Sequence, residues 1–215
     1  MIIVTAPSFA ERIWIPRLPG VRSVATPMGK RAGNSLSRSL QDIDRPSALV
    51  STGFCGGLFS DALTGTIVIG DTIDYEGEQI TVDANLVERA RKALTTASLP
   101  FLVGKIVTTR GVVKSPQEKK NLARTGALAV DMESGPLVRV ALAAGIGFIP
   151  LRVVLDTRDR PLMFNADRSD LPMALAHPVL TLQLLRTVII AGRVIGRAIA
   201  AIVTELAPRR EECVA

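Results

Sequence analysis

Histidine is almost missing from this 215-residue chain: His177 is the only one. It stands before Pro178 and reads as a structural or surface residue rather than a ligand, so no second imidazole exists for Ser-His-Asp or Cys-His chemistry. Cys55 and Cys213 are the only cysteines, too few for a disulfide scaffold or, without histidine partners, for a zinc site. Aromatic residues are 4% of the chain, with one Trp and one Tyr, which speaks against a stacking platform for single-stranded nucleic acid. No basic run is interleaved with aromatics, so nucleic acid is not an expected partner. The N-terminus MIIVTAPSFAER has neither a basic segment nor a full apolar stretch of the secretory kind, and a cytoplasmic protein is the default expectation.

What is abundant is aliphatic. Hydrophobic residues make up 47% and mean hydropathy is +0.31, as in a globular chain with a sizeable core. The net charge of +6 favours anionic partners such as phosphate groups or acidic lipid. Short apolar runs at Ile2 to Thr5, Val21 to Ala25, Ser47 to Thr52, Gly65 to Gly70, Phe101 to Thr109, Ala127 to Val130 and Ile149 to Leu155 read as strands. Helical patterns alternate with them after TPMGK and over Asp83 to Ala97, Ser115 to Thr125 and Met132 to Ala144. The alternation predicts one α/β domain over residues 1–215, a three-layer αβα sandwich around a mixed, mostly parallel sheet.

Residues 179–206 are expected to form a terminal helix. Leu184, Leu185, Val188, Ile195, Ile199, Ile202 and Val203 share one arc, while Arg186, Arg193 and Arg197 lie opposite, with Ile190 and Val194 beside them. The pattern reads as amphipathic rather than membrane-spanning, with no apolar stretch near the ~20 residues a span needs. It packs on the sheet or contacts lipid.

Three segments carry candidate chemistry. Ser51-Thr52-Gly53-Phe54-Cys55-Gly56-Gly57-Leu58 follows an apolar strand and lets backbone approach a ligand. In Val130-Asp131-Met132-Glu133-Ser134 a strand hands over to a helix. Asp131 is a natural cap there, and Glu133 is a carboxylate able to accept from two ribose hydroxyls. Arg152-Val153-Val154-Leu155-Asp156 is an apolar strand ending in a carboxylate, where ligands of α/β sheets bind, although Asp156 also suits a helix cap.

In this order the segments resemble the purine and uridine phosphorylase superfamily, including methylthioadenosine/S-adenosylhomocysteine nucleosidases. Thr26-Pro27-Met28-Gly29-Lys30, STGFCGGL, the strand ending Gly70-Asp71, and the stretch AVDMESGPLVRVALAAGIGFIPLRVVLD carry the likeness over about residues 1–160. The resemblance implies cleavage of a purine nucleoside between base and ribose. Glu133 with Met132 would hold the ribose hydroxyls, and Asp156 would protonate the leaving purine at N7. Val112, Val113 and Phe54 would lie beside the base. Glu11 matches, within one residue, the water-activating acid of the nucleosidases. Gly29, Lys30, Arg31, Thr52 and Gly53 would line a phosphate or water site.

Phe54 and Ser51 depart from the phosphate-binding Ser or Thr and Arg of many phosphorylases, and Leu155 from a small polar residue. The oddities suit a short subgroup, the hopanoid-associated phosphorylase that removes adenine from adenosylhopane, with the C-terminal helix meeting an apolar 5′ substituent. The resemblance implies no cofactor beyond inorganic phosphate as co-substrate, and a homodimer or higher oligomer. The C-terminal helix, basic and apolar, adds the expectation of peripheral contact with the inner face of a membrane. The alternatives are a hydrolytic methylthioadenosine/S-adenosylhomocysteine nucleosidase and a nucleoside-binding protein without turnover.

Overall fold

A computed structural model describes residues 1–44, 46–157 and 178–207; His177 and Cys213 lie outside them. Eight strands run in the chain order β1 (Ile2–Ala6), β2 (Val21–Ala25), β3 (Ala48–Gly57), β4 (Ile67–Tyr75), β5 (Glu78–Thr81), β6 (Phe101–Thr108), β7 (Ala129–Asp131) and β8 (Gly147–Thr157). Between and after them lie α1 (Phe9–Arg12), α2 (Arg31–Gln41), α3 (Ala84–Thr96), α4 (Pro116–Ala123), α5 (Ser134–Ala143) and α6 (Pro178–Leu206).

The expected α/β fold with a mixed sheet is present, and most of its pairings are parallel: β1 with β2 and β3, β3 with β8, β4 with β6, and β6 with β7. Strands covered on both faces need no alternation, so IIVTA in β1 is buried throughout. The edge strand β2 instead exposes Arg22 and Ser23. The sheet also returns on itself. β8 lies parallel to β3 and antiparallel to β4, β4 pairs β6, β6 pairs β7, and β7 closes antiparallel onto Gly56 and Gly57 of β3.

That closure explains a correction. The glycines of STGFCGG do not form a turn after the strand; they are part of β3, and none of them takes a positive φ. They are small because neighbours press on them. A Cβ at Gly56 would stand 3.0 Å from Val130, and one at Gly57 2.9 Å from Ala62. Strand β4 likewise continues past Gly70-Asp71 through a register shift.

The helix α6 corrects the reading of its hydropathy. Thr181–Leu206 is long and apolar enough, by length and composition, to cross a membrane, with mean hydropathy 1.7 over its best window. Its three arginines and single Glu are spread so that the window 187–204 holds only two of them, Arg193 and Arg197. In the structure one stripe, Ala191, Ile195, Ala198, Ile199, Ile202, Val203 and Leu206, is buried in the main core, and the helix packs along α3. Trp14 fills the notch made by Gly192 and Gly196: a Cβ at 192 would fall 2.1 Å from its Nε1. The arginines face outward as the wheel requires, but Leu185 is exposed although it shares the apolar arc.

Candidate active site

The first carboxylate is placed by a four-residue helix. Ser8 caps α1, its hydroxyl and amide both bonded to Glu11, and Glu11 completes the box by its own amide to Ser8. Glu11 is buried, and its Oε1 accepts from the Phe54 amide at 2.7 Å. A Cβ at Gly53 would lie 2.9 Å from that same oxygen, so the glycine of β3 is the notch the carboxylate fills. Burial pushes the Glu11 carboxyl above the ordinary glutamate range, against the lowering effect of the bonds from Ser8 and Phe54.

The second carboxylate stands where β7 turns into α5. Helix α5 begins at Ser134, two residues later than the pattern suggested, because Met132 and Glu133 make the corner. Glu133 is buried, and its Oε1 accepts the Gly29 amide at 2.9 Å across a loop from the other end of the chain. Gly29 has φ +70, the left-handed region that favours glycine, and Met132 Cε lies 3.5 Å from where its Cβ would be. Burial raises the Glu133 carboxyl to about 7, helped by the Asp131 charge and opposed by Arg152. The charge of Glu11 is felt at Glu133 too, so the two acids share one neighbourhood.

Arg152 ties that neighbourhood together. Its Nε donates to Asp131 at 2.6 Å, and its other nitrogens reach Ser51 O at 2.8 Å and Ser51 Oγ at 3.0 Å. Asp131 does cap α5, accepting from the Ser134 amide at 3.0 Å, and also accepts from Thr108 Oγ1 at 2.7 Å. All of these side chains are buried.

Asp156 lies within β8, at the register of Gly56, and is buried. Its Oδ2 is bonded to the ammonium of Lys119, which also donates to Thr157 O at 3.3 Å. Lys119 has no side-chain exposure. Reading Ser115 to Thr125 as a charged helix missed it, although a signal was there. Lys119 precedes Leu122 and Ala123 by three and four residues, on the one apolar face of a short helix. Between the two ion pairs sits Cys55, whose thiol burial pushes well above its ordinary range, leaving a structural rather than nucleophilic sulfur.

The remaining candidates divide. Phe54 is half-buried and packs on the main core, and Val113 packs on the small cluster of Leu58, Val107, Ala127 and Val130. Val112 is 43% exposed. Thr52 is fully buried with a hydroxyl that has no hydrogen-bond partner among the described residues. Of the Gly29-Lys30-Arg31 turn, only the Gly29 amide reaches a carboxylate of the site: Lys30 pairs outward with Glu76 at 3.0 Å, and Arg31 is exposed. A separate open groove of about 630 Å³, lined by Phe9, Arg12, Ile13, Arg17, Leu18 and Val21 among others, runs beside α1; none of the buried carboxylates lines it.

The chain matches the phosphorylase superfamily over residues 10–181. Among solved structures it is similar to the 5′-methylthioadenosine/S-adenosylhomocysteine nucleosidase of Helicobacter pylori, at 16% identity and TM-score 0.75, covering 95% of this chain and 98% of that one. The futalosine hydrolase of the same organism gives 16% identity and TM-score 0.75 over 95% and 97% of the two chains. The S-adenosylhomocysteine nucleosidase of Streptococcus pyogenes, in complex with 5-methylthiotubericidin, gives 18% and 0.74 over 96% and 97%. At these identities the likeness is one of fold.

Proposed function

The chain belongs to the phosphorylase superfamily, and from that footing we propose that it cleaves the N-glycosidic bond of an adenine nucleoside whose 5′ carbon bears an apolar group. The observation that carries this reading is the burial of Glu11, Glu133 and Asp156, drawn from distant parts of the chain, with Glu11 against Gly53 of β3, Glu133 within electrostatic reach of Glu11, and Asp156 at the register of Gly56.

Each carboxylate then has a task. Glu133, oriented by the Gly29 amide with Met132 beside it, accepts from the ribose hydroxyls. As the bond to the base breaks, the ribose becomes oxocarbenium-like, and buried carboxylate charge stabilises it. Asp156 delivers a proton to N7, without which a purine anion leaves poorly. Phe54, Val112 and Val113 flank the base.

For the acceptor and the 5′ group, our reading is phosphorolysis of adenosylhopane, with Gly29, Lys30, Arg31, Thr52 and Gly53 around the phosphate. The apolar flank offered by Leu182, Leu185 and Ile190 on α6 supports a hydrocarbon 5′ group. The enzyme is then a cytoplasmic homo-oligomer touching the inner membrane face through that helix. One observation favours a second reading, with water as acceptor as in a nucleosidase. Lys30 and Arg152 already have carboxylate partners, whereas Glu11 is a buried carboxylate with a raised affinity for protons, suited to take one from water. The test is incubation of the protein with 5′-substituted adenosines, with and without phosphate. Free adenine with ribose 1-phosphate supports phosphorolysis, free adenine with a free sugar supports hydrolysis, and no adenine under either condition refutes the proposal.

A further inference from the structure

Lysine is almost never fully buried unless it is paired, and Lys119 is both. Its ammonium meets the Asp156 carboxylate and the Thr157 carbonyl, and its Cε and Nζ lie 3.3 Å from where a Cβ at Gly56 would be, so β3 keeps a glycine to admit it. Val130 presses on the same point of β3 as the lysine stem, and Leu122 and Ala123 at the end of its helix pack on the small cluster of Leu58, Val107, Ala127 and Val130. An apolar pair in place of both Lys119 and Asp156 would suit such a site equally well. Replacing a buried ion pair by packed hydrophobic residues is often neutral or stabilising, so stability alone gives no reason for the lysine.

The other buried cation sharpens the question. At Asp131 the partner is Arg152, whose guanidinium keeps its protons under all ordinary conditions and whose donors are spread over Asp131 and Ser51. At Asp156 the partner is a lysine, the cation that can release a proton. We propose that Lys119 is a positioning residue for the reaction, holding Asp156 in place and passing to it the proton that the leaving base takes. This rests on the glycosidic reading above. As the bond between C1′ and the base breaks, its electron pair goes to the purine. The Lys119 ammonium passes a proton along the existing hydrogen bond to the Asp156 carboxylate, which delivers it to N7, while C1′ bonds the oxygen of the phosphate or water acceptor. Adenine leaves neutral. Lys119 is left as an amine beside the Asp156 carboxylate and recovers a proton from solvent once the product has gone.

The experiment compares wild type, Lys119→Met and Lys119→Gln on a series of purine ribonucleosides whose bases are progressively better leaving groups without protonation, such as halogenated adenines. Glutamine keeps a donor toward Asp156 and Thr157 but carries no transferable proton, so it separates supply from mere anchoring. It also carries the test if methionine fails the thermal-melting check for folding. With the parent adenine nucleoside both variants lose about 100-fold in kcat, the range for a missing acid, with KM changed less than about twofold. The deficit shrinks steadily as the base becomes a better leaving group. A deficit uniform along the series, or Lys119→Gln at wild-type rate with the parent nucleoside, overturns the inference while leaving the glycosidic reading intact. A wild-type protein that releases no base from any member of the series overturns both.

Discussion

Two buried ion pairs stand three residues apart along one strand register, Arg152 with Asp131 near Gly53 and Lys119 with Asp156 at Gly56, and they differ in how they are held. The arginine pair is built into regular structure on every side: β8 supplies Arg152, β7 ends at Asp131, β3 offers Ser51, β6 offers Thr108, and α5 begins at Ser134. The lysine pair joins the last residues of β8 to a single short helix. A charge held by a guanidinium inside regular structure serves the scaffold; one paired at a strand end with a lysine, a cation able to release a proton, suits chemistry. The same motif type thus separates a clamp from a site.

Breaking the clamp gives the largest effect on the fold. Arg152→Met leaves Asp131 and the Ser51 groups buried without their partner, and should cost about 3–5 kcal/mol of stability, read as a fall in denaturation midpoint. Breaking the other pair should remove turnover. Asp156→Asn keeps the shape and an acceptor for Lys119 but cannot give up a proton. We expect a loss of 10² to 10⁴ in kcat, about 3–5 kcal/mol at the barrier, with nucleoside binding largely retained. A variant keeping more than half the wild-type rate erases the contrast between the pairs.

Glu133 lies on the clamp side yet has a functional assignment, so it tests where the boundary runs. Its carboxyl is raised to about 7 when folded, against 4.5 as the ordinary value. Below pH 4.5 it is protonated in both states and carries no penalty. Between 4.5 and about 7 the unfolded chain has released the proton that the native protein still holds, so stability falls as pH rises, by at most roughly 3 kcal/mol. Glu133→Gln removes that loss: its unfolding midpoint should match wild type near pH 4.5 and exceed it at pH 8. The same variant should bind ribonucleosides more weakly, by ~1.5–3 kcal/mol, with a much smaller change for 2′-deoxyribonucleosides. Equal losses for both sugars would make Glu133 a structural acid.

The strands and the larger helices were legible because buried aliphatic runs and caps are local signals. Asp83 and Ser115 cap α3 and α4 at the starts their patterns indicate. Closure of the sheet was not legible, since it depends on β7 meeting β3 through glycines, and the Val130 that presses on Gly56 is far away in sequence. Glu133 and Asp156 stand out in the sequence as charges beside apolar strands, and both are buried; Glu11 comes only through the family resemblance. Lys119 escaped because a lysine among Glu118 and Lys120 looks like a solvated face until Leu122 and Ala123 are seen to point inward. Helix α6 was legible as a helix, but its packing partner was not. Its Gly192 and Gly196 form a slot for Trp14, and only the three-dimensional partner reveals why small residues recur there.

The smallest expected effect concerns how far the lysine side of the site reaches toward α6. Ile190 and Val194 lie 3.5 and 3.7 Å from where a Cβ of Gly65 would be, and Gly65 donates its amide to Val154 O at 2.8 Å. In the same loop Thr64 donates its hydroxyl to Leu155 O at 3.2 Å, one residue before Asp156. The helix therefore braces the loop that braces the end of β8. If a hydrocarbon 5′ group lies along this path, kcat/KM should rise from a 5′-hydroxyl through methylthio to a longer alkyl chain, each buried CH₂ adding up to about 0.8 kcal/mol of binding. Changing Ile190 and Val194 together to serine should flatten that rise by roughly fivefold, about 1 kcal/mol, while leaving the 5′-hydroxyl substrate nearly unaffected. Anionic vesicles should raise the rate on the longest chain if the outward arginines of α6 draw the protein to a charged surface, at roughly 1 kcal/mol per contacting residue. A flat or falling series in the unaltered protein defeats the apolar 5′ group and leaves a small thioether as the better substrate. A rise that survives the double substitution places the apolar contact elsewhere, and confines α6 to bracing the strand that carries Asp156.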